Sequence, residues 1–149
     1  MTDTAERAIN ESEEWLVSAK DKLVLSENDE GAANVCCTSR TSVLLRTRTL
    51  RRSGRALAIH AIIRANDAIS LKFLRVKATR HDDASAMFSN AMQQGKLGSE
   101  NARFLRLLQK AMSDKSGADY GKKAFHYEDA RKYVEDAEEF VAVVKGIVA

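Results

Sequence analysis

The run IHAIIRANDAIS places His60, Arg64 and Asp67 four and three residues apart, so a helix carries all three on one side. A histidine changes charge near neutrality, an arginine can hold an anion through two parallel hydrogen bonds, and an aspartate in an apolar stretch needs a partner when buried. Two readings follow. In one, His60, Arg64 and Asp67 line a binding pocket. In the other, His60 is a satisfied core histidine and Arg64 simply neutralises Asp67 from three residues away.

A second stretch, RTRTLRRSGR at 46–55, holds five arginines in ten residues. Seven arginines and no acid lie between Gly31 and Asn66, so this block carries +7 while the remaining 17 basic and 21 acidic residues leave −4. The net charge of +3 therefore describes the block and not the whole chain. No aromatic residue falls within 31–66, which removes the stacking rings that single-strand binders use. The segment TSVLLRTRT alternates like a strand, and Ser53-Gly54 reads as a breaker. One straight helix from Ala32 to Lys77 would be about 69 Å long. The expectation is an insertion, an irregular segment or an out-of-frame stretch at about 38–56, with an RNA-contacting arm as the alternative.

The elements around these residues are helical. Proline is absent from the 149 residues, and no apolar run reaches the roughly 20 residues of a membrane span. The polar, acidic start MTDTAERAINESEEW does not read as a signal peptide, so a cytoplasmic, single-domain protein is expected. Cys36 and Cys37 are adjacent and have no second pair, so neither a disulfide nor a zinc site is expected; no other metal and no cofactor is expected either. Asp3 and Glu6 have capping-box spacing, and the three- and four-residue steps from Ala5 to Leu23 predict a helix over 3–26 that SENDEG stops, with Trp15 in the core. A broad apolar face over 57–74 predicts a central helix. A shorter helix opens near Asp82-Asp83 and closes at Gly95, and Ser99 caps a fourth that ends before SDKSGADYGKK. The stripe Ala130, Tyr133, Val134, Ala137, Phe140, Val141, Val144 and Val148 defines the last helix. With no Gly-rich phosphate loop, no strand–helix alternation and no internal repeat, the fold class is all-α, an antiparallel up-and-down bundle of four to five helices.

In that order, EEWLVSAKDKL, IHAIIRANDAISLKFL, RHDDA and DKSGADYGKKAFHYEDARKYVEDAEEFVAVV resemble the HEPN family (higher eukaryotes and prokaryotes nucleotide-binding domain), in particular its small stand-alone prokaryotic members. The resemblance covers roughly 4–35 and 56–149. Lys115 and Tyr120 match the Lys/Arg-x-x-x-x-Tyr loop; Asp129-Ala130 and Ala137 to Val141 match the start and end of the last helix. It implies a helical homodimer associated with nucleotide or RNA, in a toxin-antitoxin or defence pair with a minimal nucleotidyltransferase. On this reading Lys115 and Tyr120 contact phosphate and base at a dimer groove, and His60, Arg64 and Asp67 are further nucleotide- or RNA-binding residues.

Active relatives carry Arg-x4-6-His near a late helix, where histidine moves the 2′-hydroxyl proton and arginine stabilises the phosphorane without metal. Arg55-ALAI-His60 and Arg75-VKATR-His81 match formally, against about 0.8 matches expected by chance. Neither stands where the family places its motif; that place holds DKSGADYGK. Arg75 and His81 are thus weak catalytic candidates, and the expected function is non-catalytic binding. The alternatives are a metal-independent endoribonuclease with a composite site at a dimer interface, and a pure helical interaction module.

Overall fold

The computed structural model describes residues 4–35, 40–80, 83–118 and 126–149. They form five α-helices and no strand: α1 (Ala5–Val35), α2 (Arg40–Phe73), α3 (Asp83–Gln93), α4 (Arg103–Ala118) and α5 (Tyr127–Val148), with a 3₁₀ turn at Ser99–Ala102 before α4. The all-α bundle is as expected, but two helices are much longer than their apolar periodicity predicts.

Helix α1 opens at Thr4, whose hydroxyl accepts the Arg7 backbone N–H at 3.2 Å. Thr4 satisfies a donor that the helix itself cannot; Asp3 lies outside the described residues. The helix does not stop at SENDEG. Ser26 is fully buried and returns its hydroxyl to the Leu23 carbonyl at 2.8 Å, while Glu27 accepts a hydrogen bond from Tyr127 of α5. Contacts at Ser26 and Glu27 carry α1 into a sequence of poor propensity.

Helix α2 corrects the reading of 38–56. From Arg40 the chain is one regular helix, through TSVLLRTRT and past Ser53-Gly54, and residues 38–39 lie outside the described part. A regular helix thus stands from Arg40 where an irregular segment was the expectation. Thr47 is buried, Thr49 donates to the Leu45 carbonyl four residues back at 3.0 Å, and Gly54 is a contact point instead of a breaker. A Cβ at Gly54 would meet the Ala19 carbonyl oxygen of α1 at 3.3 Å, so glycine permits this close approach. The arginines divide by helical period. Arg51 and Arg55 turn inward, over the rings of Tyr127 and Tyr133 at 5.6 and 5.0 Å, while Arg48 and Arg52 are exposed.

Pairs across the helices give the directions. Ser12 donates to the Ala61 carbonyl at 2.8 Å and Gly54 meets Ala19, so α1 and α2 are antiparallel. Lys145 pairs with Glu13 and Lys20 with Glu138, so α5 is antiparallel to α1. Small residues, Ala8, Ser12 and Ala19 against Ala58, Ala61 and Ala65, line the α1–α2 seam. On the other side Phe140 of α5 lies 4.9 Å from Phe104 and 6.1 Å from Phe88, and these rings, with Ile59, Ile62, Ile69, Leu108 and Val144, fill the centre. The α5 stripe is buried from Ala130 to Val144, as its spacing predicts. Helix α3 ends as expected, with Gly95 in the left-handed region at φ +68°. Ser99 does not cap α4; it opens the 3₁₀ turn, and α4 continues to Ala118.

Candidate functional site

The antiparallel α1–α2 pair leaves a cleft of about 600 Å³ on the side facing away from α5. Helix α1 supplies Arg7, Glu11 and Trp15, at steps of four residues. Helix α2 supplies His60, Ile63, Arg64 and Asp67, and Lys77, Ala78 and Ala84 close the end. His60, Arg64 and Asp67 thus line one pocket, and Arg64 is also the neutralising partner of Asp67 that the second sequence reading gave. The volume is in the range of small-molecule sites.

The cleft is built on alternating charge. Arg7 Nε donates to Glu11 Oε1 at 3.0 Å, Arg64 Nε donates to Glu11 Oε2 at 2.7 Å, and Arg64 Nη1 donates to Asp67 Oδ2 at 3.0 Å. Asp67 is only 4% exposed, and Arg64 is the partner that its burial requires. Burial pushes the Glu11 carboxyl up, but the hydrogen bonds and positive charges of Arg64 and Arg7 outweigh it and hold its pKa below the ordinary 4.5. A carboxylate with a depressed pKa adds stability that is present above 4.5 and lost as pH falls through its folded value. Glu11→Gln is therefore expected to flatten the acid limb of stability. Urea midpoints taken at neutral pH and below 4.5 should differ less in the variant than in the parent, and equal differences would remove Glu11 from the acid response.

Trp15 is the main correction at the site. It is 39% exposed, not core, and its ring stacks on His60 with centroids 5.1 Å apart and planes 27° from parallel. Its helical position lies at the edge of the α1 apolar face, and across the seam stand a histidine and an open cleft instead of an apolar wall. Arg7, Glu11 and Lys77 were also missing from the sequence reading. The Arg7–Glu11–Trp15 row was visible as a spacing, but the pairing that sets it opposite His60 and Arg64 was not.

The other candidates are elsewhere. Arg55 is buried and bonded to Asp114 of α4 at 2.6 Å, and Tyr133 donates to the same carboxylate oxygen at 3.0 Å. Burial first, then the Asp114 charge and hydrogen bond, raise the Tyr133 hydroxyl pKa. Arg55 thus faces α4 and α5 while His60 faces α1, so the formal Arg55–His60 pair does not converge. Arg75 is exposed beyond the end of α2, in the left-handed region at φ 59°. Lys115 is half-buried in the last turn of α4 and does not line the cleft. His81, Tyr120, Cys36 and Cys37 lie outside the described residues. Among the described residues, no group of three or more His, Cys, Asp or Glu is placed to hold a metal ion, and no helix is long and apolar enough to cross a membrane. A smaller groove of about 290 Å³ between α4 and α5 has walls of both signs, Arg103, Arg106 and Lys110 against Asp136 and Glu139.

No protein-family model matches the chain, and no curated protein sequence matches it either.

Proposed function

We propose that this protein is a non-catalytic, HEPN-like binding module whose α1–α2 cleft takes a nucleotide or a nucleotide unit of RNA. The observation that carries the reading is the Trp15–His60 stack standing in one cleft with Arg7, Arg64 and Lys77. A nucleotide pairs an aromatic ring with an anion, and that cleft offers a partly exposed indole face next to cations. Asp67 and Glu11 orient Arg64 in the cleft. Lys115 and Tyr120 belong to the proposal through the resemblance alone, as do the homodimer and a nucleotidyltransferase-type partner in a toxin-antitoxin or defence pair.

Non-catalytic binding is preferred over a ribonuclease centred on the Arg55–His60 pair because Arg55 is committed to Asp114 and Tyr133, away from His60. The test is titration of a mononucleotide and of a short RNA at rising salt, with RNA integrity followed in the presence and absence of chelator. Intact RNA, with affinity that falls linearly in log–log salt plots, is expected. Binding that does not weaken with salt removes the phosphate contacts, and chelator-insensitive cleavage restores the ribonuclease.

A further inference from the structure

Arg64 presents two sides of its guanidinium, and each has an acid. Its Nη1 donates to Asp67, three residues along the same helix, at 3.0 Å. Its Nε donates to Glu11 Oε2 of α1 at 2.7 Å, and its Nη2 pairs with the same oxygen. One turn earlier on α1, Arg7 Nε donates to the other oxygen, Glu11 Oε1, at 3.0 Å. Two guanidinium groups from two helices thus close on one carboxylate. A phosphate uses the same Nε and Nη2 edge, because its oxygens accept parallel N–H bonds as a carboxylate does. The Glu11 carboxylate therefore shows where these arginines hold an anion, and it fills that place itself.

The two acids are held differently. Asp67 is buried in the middle of α2, whereas the Glu11 side chain is 31% exposed. Rotation about the Glu11 side-chain bonds carries its carboxylate into water with no change in the backbone. When it leaves, Asp67 still holds Arg64 through Nη1, with the Nε edge turned to the cleft. If it stays, an incoming phosphate stands beside an ionised carboxylate, and like charges at contact range oppose each other even in water.

We infer that Glu11 is a built-in competitor for the ligand's phosphate: its carboxylate occupies the Arg7–Arg64 anion site in the free protein, and the phosphate of a bound nucleotide displaces it. The exchange keeps both arginines paired with an anion before and after binding. It also sets a threshold, since an anion that accepts no better than a carboxylate gains nothing from the exchange. Glu11 aligns Arg64 until the ligand arrives, and Asp67 aligns it throughout. The inference rests on the nucleotide reading of the cleft and adds the group that the nucleotide must displace.

The experiment titrates a nucleoside monophosphate and inorganic phosphate by calorimetry, at neutral pH and low salt, into four proteins: the parent, Glu11→Gln, Arg7→Gln and the double variant. Melting curves confirm that each is folded at the temperature of measurement. Glu11→Gln keeps the side-chain size, removes the charge, and is expected to bind both probes about tenfold tighter than the parent. Glu11→Ala, which leaves no acceptor, should show at least the same gain. In the Arg7→Gln background the gain should shrink, because Glu11 is then held by one arginine instead of two and is easier to displace. An equal gain in both backgrounds means that Glu11 repels the phosphate without being displaced, and it overturns the exchange. If neither Glu11 variant binds the monophosphate tighter than the parent does, Glu11 only orients Arg64, and the competitor is overturned while the nucleotide reading stands. If inorganic phosphate gains from the change but the monophosphate binds none of the proteins, the competitor stands for phosphate and the nucleotide reading fails. If neither probe binds any of them, both fail.

Discussion

Arg55→Ala is expected to lower the unfolding free energy by about 3 kcal/mol, the lower end for breaking a buried ion pair. Arg55 has 8% of its surface exposed, and its guanidinium bridges three helices: it bonds Asp114 of α4 at 2.6 Å and lies over the Tyr133 ring of α5 at 5.0 Å. Removing it leaves the Asp114 carboxylate without its cation in a site only 27% exposed, and leaves Tyr133 hydrogen-bonded to an unneutralised acid. The cost of an uncompensated buried charge exceeds that of losing the pair together. Arg55→Ala combined with Asp114→Asn should therefore cost less than the sum of the single changes. For a chain of this size the single change corresponds to a fall of about 6–12 °C in melting temperature. Arg48→Ala and Arg52→Ala, on the exposed face of the same helix, should stay within about 0.5 kcal/mol. Denaturant melts of the set decide the matter. If Arg55 behaves like Arg48, the inward turn of the arginine block is wrong.

The second large effect is on binding. Trp15→Ala should weaken nucleotide or RNA binding by about 1–3 kcal/mol, or about 5- to 150-fold. The same change should affect folding less than a core deletion does, because Trp15 is 39% exposed and lies against His60 at the cleft. Trp15 is the one tryptophan of the chain, so its emission reports the cleft directly. In the parent protein, saturation with a nucleotide should change that emission. The variant is measured by polarisation of a labelled RNA or by calorimetry. Parent-like affinity in Trp15→Ala would show that no base stacks there, whatever the cations do.

Particular elements show how far the chain could be read by itself. The α5 stripe from Ala130 to Val144 is legible because every third or fourth residue is apolar and the centre of the bundle receives it. Gly95 is legible because a left-handed helix end favours glycine. The first half of α2 is not legible, because its inward residues are Thr47, Arg51 and Arg55, and no hydrophobicity pattern marks an arginine as inward. Their partners, Tyr127, Tyr133 and Asp114, lie 59 or more residues further along the chain.

At the site, the spacing of His60, Arg64 and Asp67 determined that a helix would show them on one side. Composition and periodicity determined an all-α chain with an acid-free, arginine-rich block. The tertiary structure decided what those features meet. The antiparallel seam, drawn close by Gly54 and the alanines, sets Arg7, Glu11 and Trp15 opposite His60 and Arg64. That is also why Trp15 is a cleft residue and not a core one, and why Arg51 and Arg55 are bound inside while Arg48 and Arg52 remain at the surface. Local pattern sets which side of a helix a residue occupies, because the 3.6-residue turn is a property of the backbone. What lies on that side depends on contacts between residues distant in sequence, and those are set only when the helices pack.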